Sequence, residues 1–149
     1  MRLYFDECCS RPLSKELKSL FAADYPELEL CHVLDFYDAA TAESTWLQPL
    51  QADRSWIVIT SDHGRNPKKE KFHAVCNALG ITYVAMTPGL INAGYDEHRN
   101  ALITVWSELP NLYLLPPGTK VRLGYQDLKS GRTYVLRVGK KILSAVLPG

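Results

Sequence analysis

A short apolar stretch that ends abruptly in polar and turn-forming residues constrains the fold of this chain most. It runs Trp56-Ile-Val-Ile-Thr-Ser-Asp62 and continues into His-Gly-Arg-Asn66. Three β-branched residues behind a tryptophan are typical of a buried parallel strand. Asp62 is therefore expected at the carboxyl end of a strand, and ligands of open α/β sheets bind along that edge.

The start of the chain repeats this pattern. Residues 1–5 form a strand candidate that breaks into Asp6-Glu7, and Ser10 then offers a cap for a helix. If the two strands are parallel neighbours, they place Asp6 and Asp62 on one rim of the sheet. Two close carboxylates repel each other, so the pair predicts a divalent cation unless protonation or a basic neighbour relieves the repulsion.

Strand and helix patterns alternate along most of the chain. We expect strands at residues 1–5, 27–34, 57–60, 81–86 and 111–115, with helices after Ser10, from Thr41, from Asn66-Pro67 to Gly80, and over about 95–109. The alternation predicts an α/β fold, with helices flanking a central parallel sheet of four to five strands joined by right-handed crossovers.

The pattern changes beyond Pro110. A Pro-Pro-Gly turn at residues 116–118 precedes two segments, 121–125 and 133–138, that resemble the strands of a β-hairpin. A chain of 149 residues is expected to form one domain. We therefore expect residues 1–115 to form the main body and residues 116–149 to be a short C-terminal β-hairpin extension of the same domain.

Charge and hydropathy exclude several classes of function. Seventeen basic and sixteen acidic residues leave a formal net charge of +1, so a nucleic-acid partner would need a local basic patch. No apolar run approaches the ~18 residues that a membrane span requires, and the first residues do not resemble a signal peptide. We expect a soluble, cytoplasmic protein without a membrane partner.

The four cysteines, at positions 8, 9, 31 and 76, form no C-x-x-C pair. His73 and Cys76 stand one helical turn apart, and Cys31 precedes His32, so a zinc site is one interpretation. Reduced and partly buried thiols in an intracellular protein are the better one.

Three acids are the strongest candidates for chemistry: Asp6, Glu43 and Asp62. Glu43 lies in the first turn of the helix that follows the second strand, and that turn would overhang the rim that carries the other two. Three converging carboxylates form a site that Mg²⁺ or Mn²⁺ accepts, with water completing the octahedron. We therefore predict that Asp6, Glu43 and Asp62 are the catalytic and metal-binding acids. Singly, each could instead be a strand end, a helix-dipole partner or a turn former.

A cluster of cations follows Asp62. The candidates for substrate binding are Arg65, Asn66 and Lys68, because a phosphodiester needs cations along its backbone beside an acidic metal site. An ordinary solvated helix face is the alternative for the lysines. Glu7 is ranked below Asp6, since neighbouring strand residues point to opposite faces, and Asp35 and Asp38 are expected to be solvated loop acids.

These residues resemble the PIN-like domains of VapC-type toxins. The matching segments are Phe5-Asp6-Glu7, Glu43-Ser-Thr-Trp46-Leu47, Trp56-Ile-Val-Ile-Thr-Ser-Asp62 and Arg65-Asn66-Pro67. The resemblance implies a Rossmann-like PIN fold over residues 1–115, a ribonuclease that uses Mg²⁺ or Mn²⁺, and a toxin of a type II toxin-antitoxin pair with a cognate antitoxin as its partner. PIN nucleases often have a fourth acid, for which Asp96 and Glu97 are candidates, and many have aspartate where this chain has Glu43.

Two other functions remain open at this point. A phosphoacceptor receiver domain also places acids after its first strand, an aspartate after its third and a threonine after its fourth, as Asp6, Asp62 and Thr87 would be. It also needs a lysine after the fifth strand, and Lys120 stands too far along the chain. The other alternative is a catalytically silent PIN-like module that binds a protein. The sequence leaves open whether the chain forms a homodimer.

Overall fold

The fold is built on a single β-sheet, seen here in a computed structural model that describes residues 1–53, 55–62 and 71–147. Within those ranges the sheet has seven strands in the order β2-β1-β3-β4-β5-β6-β7. They are β1 (Arg2–Phe5), β2 (Glu29–His32), β3 (Trp56–Thr60), β4 (Tyr83–Met86), β5 (Lys120–Leu128), β6 (Gly131–Val138) and β7 (Lys141–Ile142).

Helices connect the strands. They are α1 (Arg11–Phe21), α2 (Glu43–Gln51), α3 (Phe72–Leu79), α4 (Pro88–Ile91), α5 (Tyr95–Val105) and α6 (Leu143–Val146), with 3₁₀ helices at Val33–Asp35 and Trp106–Leu114. Strands β1 to β5 are parallel, whereas β5, β6 and β7 pair antiparallel. The prediction of an α/β fold with a parallel sheet of four to five strands is confirmed. No helix in the described ranges is long and apolar enough to cross a membrane.

The two faces of the sheet carry different side chains because successive strand residues point to opposite sides. On one face, Phe5 and Ile59 pack against α1 and α5 in a single apolar cluster. On the other face, Tyr4 and Val58 pack against α2 and α3 in a second cluster. The side chains that follow Tyr4 and Val58 by two residues, Asp6 and Thr60, therefore belong to the face that α2 and α3 cover.

Local signals in the sequence set several element boundaries. The Ser10 hydroxyl accepts a hydrogen bond from the Leu13 amide at 3.3 Å, which confirms Ser10 as the cap of α1. Gly80 ends α3 in the left-handed conformation with φ of 70°, as a glycine C-cap does. The predicted start of this helix at Asn66-Pro67 lies outside the described residues.

The predicted strand at 111–115 is wrong. Residues Trp106–Leu114 form a 3₁₀ helix, in which Leu109 and Leu112 are both buried. Their spacing of three matches the three residues per turn of a 3₁₀ helix, so both side chains reach the core from one side. The preceding helix ends at Val105 and not at residue 109.

The fifth parallel strand comes instead from the C-terminal segment. Strand β5 pairs in parallel with β4, with Tyr83 opposite Lys120 and Ala85 opposite Arg122. It then continues past the end of β4 and pairs antiparallel with β6, closing the hairpin at Leu128 and Gly131. The hairpin therefore contributes residues to the same sheet, and through it to the neighbourhood of β3 and β4.

Candidate functional site

Asp6 is the residue directly after β1, at the centre of the parallel sheet. Its amide donates a hydrogen bond to the Ile59 carbonyl at 3.1 Å, which continues the ladder between β1 and β3. Its side chain is 1% exposed. The carboxyl group of Asp6 is thus held inside the protein at the carboxyl edge of two adjacent strands.

Thr60 links Asp6 to Asp62. Its hydroxyl donates a hydrogen bond to Asp6 Oδ2 and accepts one from the Asp62 amide at 2.9 Å. Thr60 is the last residue of β3 and fully buried. The role of Thr60 was not predicted from the sequence, and the parallel register is the signal that reveals it: Phe5 lies opposite Ile59, so the next pair is Asp6 and Thr60.

The other oxygen of Asp6 is also engaged. The Cys9 amide donates to Asp6 Oδ1 at 3.2 Å and to the Asp6 carbonyl at 3.1 Å, which fixes the turn between β1 and α1. The Cys9 thiol donates to the Ile59 carbonyl at 3.5 Å. These contacts give Asp6 one defined orientation before any ligand binds.

The environment of Asp6 makes its ionised form less stable than it is in water. Burial raises the pKa of Asp6 to about 6, the hydrogen bonds from Thr60 and Cys9 oppose this shift, and the negative charge of Asp62 adds to it. In the described part of the chain no lysine, arginine or histidine forms an ion pair with Asp6. A cation near this rim would therefore find an acid whose charge the protein has not already neutralised.

Glu43, the first residue of α2, is also buried, at 3% exposure. The Trp46 indole Nε1 donates to Glu43 Oε2 at 3.0 Å. Burial raises the pKa of Cys76 on α3, and the charges of Glu43 and Asp6 raise it further. Since both acids act on one thiol, Cys76 lies in the electrostatic neighbourhood of each. Glu43 is therefore buried on this face of the sheet. An acid that only complements the helix dipole would lie on the surface.

These acids do not form a complete metal cage. Within residues 1–53, 55–62 and 71–147, no group of three or more His, Cys, Asp or Glu side chains is arranged to hold a metal ion. The sharing of one ion by Asp6, Glu43 and Asp62 stays a prediction. A smaller donor set is chemically suitable, because Mg²⁺ is usually bound through one or two carboxylates and keeps several waters. Asp6 and Asp62 supply two such carboxylates.

A cavity of ≈ 290 Å³ adjoins Asp62. Its other lining residues are His73 from α3, Ala85 and Met86 from β4, Thr87 and Pro88 after it, and Lys120 and Arg122 from β5. Burial and the charge of Lys120 lower the pKa of His73, while the charge of Asp62 and a hydrogen bond with its backbone act in the opposite direction. Lys120 and Arg122 were not among the substrate-binding residues predicted from the sequence.

The remaining acids have other contacts. Both carboxylate oxygens of Glu7 accept from the Ala40 amide, at 3.0 and 2.9 Å, which holds the loop before α2. Asp35 accepts from Arg11 Nε at 2.8 Å and from the His32 amide at 2.9 Å, so it is not simply a solvated loop acid. Glu97 accepts from the hydroxyls of Tyr125 and Tyr134, which pack on the opposite face of the sheet.

The two candidate zinc pairs do not assemble. His32 uses both ring nitrogens: Nε2 bonds to the Cys9 carbonyl at 2.8 Å, and Nδ1 accepts from the Leu34 amide at 3.0 Å. His73 and Cys76 belong to no metal-holding group among the residues that the structure describes. The four cysteines are free thiols, as expected.

The predicted substrate-binding residues Arg65, Asn66 and Lys68 lie outside the described residues, so they stay predictions. The receiver pattern needs a lysine beyond the carboxyl end of the fifth strand. Lys120 opens β5 beside Tyr83 of β4, and Lys129, which follows β5, lies in the hairpin turn beyond Leu123, the last residue of β5 that pairs with β4.

The fold and the rim together define an α/β domain with one buried and one partly exposed aspartate at the carboxyl edge of its parallel strands. The family model described as "PIN like domain" matches residues 1–85, which is more than half of the 149 residues. The chain therefore belongs to the PIN-like family, whose members are often nucleases that use Mg²⁺ or Mn²⁺. No curated protein and no solved structure matches it.

Proposed function

We propose that this protein is a metal-dependent ribonuclease that hydrolyses RNA phosphodiester bonds at the rim formed by Asp6 and Asp62. One observation carries the proposal: a fully buried aspartate at a parallel strand end, with a pKa raised to about 6 and a second aspartate acting on it. Perturbed carboxylates of this kind are typical of functional sites, because burying an acid without a cationic partner destabilises the fold.

Asp6 and Asp62 would hold the ion, which when bound would polarise the scissile phosphate and lower the pKa of an attacking water. The chain's own residues position these groups. Thr60 bridges the Asp6 carboxylate and the Asp62 amide, so the two acids keep a fixed relation. The Cys9 amide fixes the second oxygen of Asp6, and Trp46 orients Glu43 toward the same buried face.

The test is cleavage of a single-stranded RNA in the presence of Mn²⁺ or Mg²⁺. The variant Asp62→Asn keeps the size of the side chain and removes its charge, and we expect it to lose activity while its circular dichroism stays unchanged. Asp24→Asn is the matched control, since Asp24 is an exposed acid in the turn after α1. Equal activity of the wild type and Asp62→Asn would overturn the proposed site.

A role as the toxin of a type II toxin-antitoxin pair is the finer form of this proposal. It rests on the motifs Glu43-Ser-Thr-Trp46-Leu47 and Trp56-Ile-Val-Ile-Thr-Ser-Asp62, which resemble VapC-type toxins. A cognate antitoxin is then the expected partner. Expression of the chain alone should arrest growth, and co-expression of a small protein from the neighbouring reading frame should relieve the arrest. Growth unaffected by the active chain would contradict the toxin role.

A catalytically silent PIN-like module is the second candidate, because no three-ligand metal group occurs in the described ranges. In that case Asp6 would be a remnant that only reduces stability. RNA cleavage assays distinguish the two candidates. The ribonuclease cleaves RNA with Mn²⁺ or Mg²⁺, whereas a silent module cleaves none with any divalent ion.

A further inference from the structure

The cavity beside Asp62 contains cationic side chains that have no part in the proposed metal site. It is lined on one side by Asp62 and His73 and on the other by Lys120 and Arg122, with Thr87 at the strand end between them. Both cations come from β5, which lies beyond residues 1–85 that match the family model. The cavity therefore depends on the C-terminal hairpin of this particular chain.

The register of β5 directs both cations to the face that carries the acids. Lys120 lies opposite Tyr83, and Arg122 lies opposite Ala85, and directly opposite residues of paired strands share a face. Tyr83 and Ala85 pack in the same cluster as Val58, two residues before Thr60. The sheet thus presents two cations and the Asp62 side of the rim on one surface.

The two cations are not neutralised by the rest of the described chain. Lys120 and Arg122 form no hydrogen bond or ion pair with any side chain in residues 1–53, 55–62 or 71–147. Burial lowers the pKa of Lys120, and the charge of Arg122 lowers it further. Two mutually repelling cations at the wall of a cavity are stabilised by an anion between them.

Gly124 on β5 leaves room for the side chain of Thr87, which lines the cavity. Gly124 follows Arg122 by two residues on the same face, and a Cβ at that position would lie 2.7 Å from Thr87 Cγ2 and 3.0 Å from Thr87 Oγ1. Any larger residue would push Thr87 out of its place. The packing of Gly124 against Thr87 therefore keeps Thr87 in the lining of the cavity that the two cations also line.

We propose that this cavity binds a backbone phosphate of single-stranded RNA, adjacent to the phosphate that is cleaved at the acidic rim. This inference rests on the proposed ribonuclease function. Asp62 belongs to both the rim and the cavity lining, so one RNA strand can cross from the cations to the acids without leaving the surface. Lys120 and Arg122 hold the strand, and Thr87 offers a hydroxyl donor to a phosphate oxygen.

The test is the binding of a fluorescein-labelled single-stranded RNA of about ten nucleotides in EDTA, where cleavage is absent, measured by anisotropy at several salt concentrations. The double variant K120Q/R122Q should bind on the order of tenfold more weakly, and the slope of log affinity against log salt should fall by about 0.7, which corresponds to the loss of one phosphate contact on a single strand. K15Q/K18Q is the control, because it removes the same charge from exposed positions of α1, on the opposite face.

The outcomes separate this site from the proposed function. If K120Q/R122Q loses affinity and K15Q/K18Q does not, the phosphate site is supported, even if the wild type cleaves no RNA with Mn²⁺. If both double variants lose affinity equally, or neither does, the site is overturned, even if RNA is cleaved. Should K120Q/R122Q fail to fold, R122Q alone changes an exposed side chain and is expected to give about half of the change in slope.

Discussion

The acidic rim and the cationic cavity lie side by side on one face of the sheet, but they are built differently. The rim uses strand ends within residues 1–85, where Asp6 is buried and held by Thr60 and Cys9, and Asp62 is partly exposed. The cavity uses β5, which lies between β4 and β6 and on which Lys120 is half-buried and Arg122 is exposed. The proposed chemistry therefore belongs to the part of the chain that matches the family model, whereas the proposed RNA-binding cations come from the C-terminal hairpin.

The largest difference is expected in the kinetics of RNA cleavage. Asp6→Asn should lower kcat by on the order of 10²–10³-fold with little change in KM, because it removes charge where the reaction occurs. K120Q/R122Q should instead raise KM and leave kcat nearly unchanged, because it weakens ground-state binding. Steady-state kinetics on one RNA distinguish the two regions. A fall in kcat alone for both variants would mean that the cavity belongs to the catalytic rim.

The second difference concerns stability and pH. The folded-state pKa of Asp6 is about 6 against an ordinary value of 3.8, so the folded chain binds this proton more tightly than the unfolded chain does. The stabilisation of the fold by protonated Asp6 is therefore complete below pH 3.8 and is lost as the pH rises through 6. The loss is at most about 3 kcal/mol.

Asp6→Asn removes this ionisation. The difference in the free energy of unfolding, variant minus wild type, should therefore increase by up to about 3 kcal/mol as the pH rises from about 4 to about 8. Urea titrations at a series of pH values measure this difference. Asp24→Asn, at an exposed position, should show no such gain. A difference that does not vary with pH would mean that the pKa of Asp6 is not raised by folding.

Gly124→Ala tests the packing where the two regions meet. The new methyl group would overlap Thr87, so we expect a loss of about 1–3 kcal/mol in the free energy of unfolding together with weaker RNA binding in EDTA. Gly89→Ala is a useful comparison, since a Cβ at Gly89 meets no atom within 4 Å. Equal effects of the two substitutions would show that a Cβ at position 124 does not displace Thr87.

Thr60→Val is expected to give a smaller change. It removes the hydroxyl that donates to Asp6 and accepts from the Asp62 amide, so the fold should lose about 1–2 kcal/mol. Thr60→Ser keeps the hydroxyl and should retain most of the cleavage activity that Thr60→Val loses. If both variants cleave RNA equally well, the bridge between the two aspartates has no role in positioning them.

The strand ends of this protein could be predicted from its sequence because they coincide with abrupt changes in polarity. The prediction of Asp6 and Asp62 on one edge needed only two parallel neighbouring strands, and β1 and β3 are such neighbours. Thr60 was missed because its role depends on register, which pairs Asp6 with the last residue of β3. The positions of Arg65, Asn66 and Lys68 stay predictions.

The C-terminal part was harder to predict because local patterns there have two solutions. Residues 111–115 fit a strand-like apolar run, but Leu109 and Leu112 are three residues apart, which is the spacing of the 3₁₀ helix that forms. The placement of β5 beside β4 depends on long-range pairing, which no short pattern encodes. As a result, Lys120 and Arg122 could be recognised as site residues only once the register of β5 was known.

The proposal that Asp6 and Asp62 hold a divalent ion is tested most directly by isothermal titration calorimetry. Mn²⁺ is titrated into the metal-free wild type and into metal-free Asp62→Asn. We predict saturable binding to the wild type and a loss of that binding in the variant, because the rim needs both aspartates to hold a divalent ion. No heat of binding with the wild type, or the same isotherm for both proteins, would contradict a metal site formed by Asp6 and Asp62.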